Sequence, residues 1–206
     1  MKRILIIALA VIMSGCATMN ADQCAMSDWH AVGYEDGSRG YTSDRFGQYR
    51  KACAKHSVAP DFQAYQVGRK EGLVEFCQPS RGFNLGAAGG RYNGVCDVAM
   101  EDEFLDAYRA GSRLYTLRSN VNRVNGAISK REQKIAENVD KIAAKQATLI
   151  AADTTVEDRV LILADLKRLS EEQGELEAEI EQLIDERARH ETELADYQTT
   201  VAAYGY

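Results

Sequence analysis

Five cysteines and three histidines are the side chains of this 206-residue chain with the widest choice of chemistry. Cys16 stands near the start, while Cys24, Cys53, Cys77 and Cys96 form an even set, and thiols so grouped either oxidise in pairs or hold a metal. Cys53 and His56 have the Cys-x-x-His spacing of a zinc site. Export, argued below, favours two disulfides instead. Three pairings are open, and Cys24 with Cys53 and Cys77 with Cys96 is the one favoured; closing the second, a loop of about 20 residues, stabilises by about 3 kcal/mol in the chain-entropy description. His30 has Asp28, Glu35 and Asp36 close by, the residue types of an acid–base cluster. No Ser or Cys nucleophile has an accompanying motif, so a surface histidine at a helix start is the plainer reading. Gly86-Ala87-Ala88-Gly89-Gly90-Arg91 has the glycine content of a phosphate cradle but neither the Lys-Ser/Thr ending nor a G-x-G-x-x-G register. Tyr34, Tyr41, Tyr49, Tyr65 and Tyr92 with Arg39, Arg50 and Arg91 could build a sugar-stacking surface, although aromatic residues more often pack a core. The sequence gives no reason to expect a catalytic residue, a metal or a cofactor.

The address of the chain is written ahead of these residues. Lys2 and Arg3 precede an apolar run from Ile4 to Met13, followed by the small residues Ser14 and Gly15 and then Cys16. That order is a secretory signal, and ten apolar residues are too few for the roughly 20 that a membrane-spanning helix needs. Met13-Ser14-Gly15-Cys16 resembles the bacterial lipoprotein signal, with Met13 where Leu, Val or Ile is usual. The resemblance implies cleavage after a signal peptide of residues 1–15, acylation of Cys16, and a lipidated tether over 16–23. Two or three acyl chains hold a protein firmly where one does not. By the same resemblance, Ala17 after Cys16 implies the outer membrane, facing the periplasm. Losing Lys2 and Arg3 takes the formal charge from −6 to −8. That charge argues against nucleic acid or an anionic lipid surface as partner.

Composition divides the rest near residue 112. Eleven of the 16 glycines lie between Gly33 and Gly94, and every Phe, the single Trp and both prolines precede residue 105; beyond 112 the chain is dominated by Leu, Ile, Ala, Glu, Lys and Arg. The expected fold is mainly α: a small disulfide-containing, Gly/Tyr-rich helical domain over 24–111, then a long antiparallel coiled-coil hairpin over 112–206. A faint repeat runs through the first part, in which Trp29, Tyr65 and Tyr108 each precede a glycine (Gly33, Gly68 and Gly111) by three or four residues. On a helix these offsets share a face, and glycine there admits a neighbouring backbone. Helix starts are expected at Asp28, Pro60-Asp61 and Asp97, where a carboxylate can cap free amides. Residues 40–47 and 79–94 read as loops.

Asp28-Trp29 with Gly33-Tyr34-Glu35-Asp36-Gly37, Cys53 before Ala59-Pro60-Asp61, Tyr65 with Gly68 and Glu71-Gly72-Leu73, Phe76-Cys77 with Pro79 and Gly82, and Tyr92-Asn93-Gly94-Val95-Cys96 together resemble a domain-of-unknown-function family of Gram-negative envelope lipoproteins. The resemblance covers about residues 24–111, and Asp97 stands where many members carry Pro. It implies export and lipid anchoring with no assigned activity.

Beyond it, Leu114, Val121, Ile128, Ile135, Ile142 and Leu149 recur every seven residues, with a weaker companion row of Leu117, Val124, Arg131, Asn138 and Lys145. Leu166, Leu169, Leu176, Ile180 and Leu183 resume the pattern after Asp153-Thr154-Thr155. Residues 112–151 hold eight Lys or Arg against three acids, and 157–196 hold five against fourteen. Each arm therefore attracts the other, and a turn near 153–156 should set Ile128 beside Ile180 and Leu183, and Arg131 beside Glu175 and Glu179. An arm of about 40 residues reaches roughly 60 Å, a length suited to a spacer or docking rod. Asn120-Val121-Asn122-Arg123-Val124-Asn125-Gly126 gathers poor helix formers and is a candidate joint. The expected role is structural or adaptor, with an envelope protein as partner; a glycan- or peptidoglycan-binding domain is the alternative.

Overall fold

The computed structural model describes residues 19–205, so Cys16 and residues 1–15, read above as a signal peptide, lie outside the described residues. Among the described residues there are seven helices and no strand: α1 (Ala21–Met26), α2 (Trp29–Ser38), α3 (Asp44–Ala54), α4 (Phe62–Phe76), α5 (Pro79–Ala87), α6 (Val98–Ile150) and α7 (Val156–Ala203). None of them is long and apolar enough to cross a membrane. The chain divides into two compact units, one of residues up to Gln78 with Tyr92–Asp102, the other of Pro79–Arg91 with Glu103–Tyr206.

In the first unit, side chains open the helices as their types dictate. Asn20 and Gln23 form a capping box on α1, Asp28 accepts the N–H groups of His30 and Ala31 on α2, and Asp61 accepts that of Ala64 on α4. Helices α2 and α4 then lie side by side, in the same direction, at backbone contact. A Cβ added at Gly33 or Gly37 would strike the carbonyl of Tyr65 or Arg69, and one at Gly68 or Gly72 would strike that of His30 or Tyr34. Each glycine thus sits on the carbonyl three residues before a glycine of the other helix. Glycine inside a helix costs about 1 kcal/mol relative to Ala, and the approach it permits allows Cα–H···O contacts and dense backbone packing in exchange. Trp29, Phe46 and Tyr65 form the core beside the Cys24–Cys53 disulfide, whose Cα atoms are 5.5 Å apart. A second disulfide, Cys77–Cys96, ties the end of α4 to the segment before α6 with Cα atoms 5.7 Å apart.

The second unit uses the same device. Gly82 and Gly86 of α5 sit on the carbonyls of Phe104 and Tyr108, Gly111 of α6 sits on that of Phe83, and the buried Ala107 holds the fourth place. The correspondence extends to the helix ends. Gly40 (φ +69) and Gly89 (φ +71) take the left-handed conformation just past α2 and α5, and a side chain at either would meet the ring of Phe76 or Tyr115. Gly40 and Tyr41 donate to the carbonyls of Gly37 and Asp36 as Gly89 and Gly90 donate to those of Gly86 and Leu85, the pair of bonds of a Schellman cap. One helix pair is therefore present twice: Gly-x3-Gly-x2-Gly on the first helix, aromatic-x2-small-x3-Gly-x3-aromatic on the second. The match pairs Tyr65 with Phe104, one turn before the Tyr108 that sequence spacing suggested. The loop reading of 79–94 is likewise overturned over Pro79–Ala87, because proline suits the first helical position and the glycines of α5 are packing residues. The loop reading of 40–47 holds only to Ser43, since α3 starts at Asp44.

Helix α6 is continuous from Val98 to Ile150, so the composition break at 112 and the Asn-rich stretch at 120–126 both fall inside it, with Val124 fully buried. Glycine gives way to leucine along it because α6 meets α5 first and α7 afterwards. Phe83, Ala107, Leu114 and Val201 make a core with Leu194 and Tyr197 packed against it, and the Tyr197 hydroxyl donates to the Ala110 carbonyl (3.0 Å). At the other end, the Arg159 guanidinium donates to the carbonyls of Leu149 (2.7 Å) and Ala151 (2.9 Å), closing α6. Thr155 caps α7 by accepting the Asp158 N–H (3.1 Å). The helices form an antiparallel hairpin.

Candidate functional site

The four described cysteines are spent in the two disulfides, so Cys53 offers no thiolate to a metal alongside His56. Among the described residues no group of three His, Cys, Asp or Glu side chains could hold a metal ion. The acid–base grouping around His30 does not assemble. Asp28 is a helix cap, Glu35 pairs with Arg39 (3.0 Å), and His30 Nε2 meets Glu71 (3.0 Å) at the surface.

Asp36 instead turns inward and is 4% exposed. Its Oδ1 accepts from Arg45 Nε (3.0 Å) and the Tyr49 hydroxyl (3.2 Å), and its Oδ2 from the Tyr65 hydroxyl (2.9 Å). Burial, then the bond to Asp36, pushes the Tyr65 phenol far above its ordinary range, and burial raises that of Tyr49 as well. Both tyrosines therefore stay protonated as donors. The cluster joins α2, α3 and α4 through one buried carboxylate, with its donors aimed inward. The five tyrosines considered for sugar stacking are dispersed accordingly: Tyr49 and Tyr65 serve Asp36, Tyr41 lies under the Arg45 guanidinium at 4.1 Å, and Tyr92 donates to Glu101 (2.9 Å). Tyr34 is more than a third exposed.

An apolar recess absent from the sequence reading opens between α3 and α4. Phe46, Ala54, Val58, Pro60 and Phe62 line about 360 Å³ with Arg50. Phe62 is half exposed, 4.9 Å from Phe46 between ring centroids. The apolar run Val58-Ala59-Pro60 just ahead of a capped helix was the available signal.

On the hairpin, chemistry is concentrated along one flank. Arg123 pairs with Glu186 (2.7 Å), Arg131 with Glu179 (2.6 Å), Lys134 with Glu172 (3.5 Å) and Lys145 with Asp165. Arg131 takes Glu179 of the two acids expected near it. The four acids recur every seven residues, so they share one edge of α7 and hold its register against α6. Hydrogen bonds from Lys145 and Arg123, then the neighbouring charge, hold the Asp165 and Glu186 carboxyls below their ordinary range. Within the seam, Asn138 is fully buried, and neither its Oδ1 nor its Nδ2 has a hydrogen-bond partner. A polar residue at such a position fixes register at a cost in stability.

Residues 28–113 match the family model described as protein of unknown function (DUF2799). The match runs from the cap of α2 into α6 and takes in both glycine-packed helix pairs. No curated protein and no solved structure matches the chain.

Proposed function

We propose that this chain is an envelope lipoprotein, held at the bacterial outer membrane on its periplasmic side by acyl chains on Cys16. It serves a structural or adaptor role through the α6–α7 hairpin and is not an enzyme. The observation that carries the reading is the hairpin itself, two helices of 53 and 48 residues zipped by heptad-spaced acids. Such a rod offers length and surface. The disulfides support export: Cys24, Cys53 and Cys77 are at most 2% exposed, and bonds of this kind form in oxidising compartments. The leader and Cys16 accord with the same address.

The test uses the full chain in Gram-negative cells. Removing residues 128–141 with 170–183 takes two facing heptads from each arm, preserves register and shortens the rod by about 20 Å. The expected result is a stable, membrane-bound protein that loses its cross-links to envelope proteins. Identical cross-links from the short and full-length rods would overturn the adaptor role. The recess at Arg50 favours a second reading, a periplasmic domain that binds glycan or peptidoglycan fragments. Muropeptide binding lost in Arg50→Ala and Phe62→Ala would select it.

A further inference from the structure

The two flanks of the hairpin differ near its tip. In a heptad lettered so that Ile135 and Leu166 are a, and Asn138 and Leu169 are d, the paired acids Asp165, Glu172, Glu179 and Glu186 are all g. Antiparallel helices bring g beside g and e beside e. Val139 (e), Ala143 (b) and Ile150 (b) of α6 therefore share the opposite flank with Val156 (e), Val160 (b) and Leu163 (e) of α7, with the polar, uncharged Gln146 (e) among them. The five larger apolar side chains are between 48% and 80% exposed. Together they leave on the order of 500 Å² of apolar surface, at the upper end of what a monomer shows in one patch. The interhelix ion pairs lie on the other flank, and from Val139 to Leu163 this flank carries no charge at its e and b positions.

We propose that this distal flank binds the same flank of a second copy, forming a four-helix bundle with both tips at the same end. Two copies of the patch bury about 1,000 Å², the area at which a specific interface becomes tenable. Charge selects the arrangement. Residues 112–151 carry eight bases to three acids and 157–196 five to fourteen. Only a two-fold axis parallel to the rods sets α6 against the second copy's α7, so that every neighbouring pair of helices is of opposite sign. Beyond Leu163 the flank continues as Lys167 (b), which reaches to Glu171 (3.7 Å), then the small residues Ser170 (e) and Gly174 (b), and a Cβ at Gly174 would meet nothing. The inference rests on hairpin geometry alone and is independent of the lipid anchor.

A photo-cross-linking residue placed at Val160 of the full chain, in cells holding two differently tagged copies, should give a product of twice the monomer's mass that carries both tags. Its cross-linked peptide should come from the 139–150 segment of the other copy. The same probe at Leu161, which is 67% exposed but lies toward the ion-paired flank, should give at least tenfold less product. Val160→Glu with Leu163→Glu, probed at Ile150, should abolish the product while leaving the helical circular dichroism unchanged. Equal products at Val160 and Leu161, products with other proteins only, or no product would each overturn the proposal.

Discussion

Helices in the glycine-rich part of the molecule meet backbone to backbone, whereas the arms of the hairpin meet side chain to side chain. The first kind of contact has no adjustable part. At Gly68 the neighbour is the His30 carbonyl, which cannot rotate away as a long side chain can. The second kind is built from rotamers and heptads, so it accepts substitution and changes of length in steps of seven. A chain with both has some helix contacts fixed by single atoms and others fixed by periodicity.

The contrast is broken most severely at a glycine. Gly68→Val should cost about 3 kcal/mol or more, because α2 and α4 must separate. Gly174→Ala, in open helix, should instead stabilise by up to about 1 kcal/mol. Urea denaturation followed by circular dichroism distinguishes the two, and equal effects would remove the distinction between regions. Next is the Cys24–Cys53 bridge, which spans 29 residues. Replacing both by Ala should cost about 3 kcal/mol. Loss of Trp29 fluorescence should then precede loss of helicity, since the arms contain no disulfide. Third, Asn138→Leu should stabilise the hairpin by about 1–2 kcal/mol by removing a buried amide without partners, read as a higher midpoint for the helical transition. A lower midpoint would mean that the amide is satisfied in solution.

The smallest effect is on acidification. The Asp165 and Glu186 carboxyls sit below their ordinary range when folded, so the stability they contribute is present above the unfolded-state value and is lost as pH falls through the folded one. Hairpin stability should therefore decline as pH drops below about 4. The slope should flatten in Asp165→Asn with Glu186→Gln, as followed by thermal melts at a series of pH values.

The hairpin was largely legible because its rules are periodic: the apolar rows, the opposite charges of the arms and the Arg131–Glu179 pair all follow from counting in sevens. Asp28 and Asp61 announced their helices by capping chemistry. Helix α5 was hidden, because four of its nine residues are Gly, Pro or Asn and propensity reads such a stretch as loop. Only tertiary approach, with Gly82 and Gly86 against α6, explains why it is helical. The duplication was half visible. Aromatic-to-glycine spacing set Trp29, Tyr65 and Tyr108 as equivalent, whereas the structural match is of Tyr65 with Phe104, and its register needed Ala107 in the place of a glycine. The Asp36 cluster was beyond reach, since Arg45, Tyr49 and Tyr65 converge on it from two other helices.

The proposed role follows from where the chain resides, and the amino-terminal residue of the protein in cells decides that. Mass spectrometry of the protein purified from Gram-negative cells should find an amino terminus at Cys16 carrying a diacylglyceryl group, with Cys16→Ser unacylated and released from the membrane fraction. A mature chain that begins elsewhere, or that keeps Cys16 unmodified, would contradict the account.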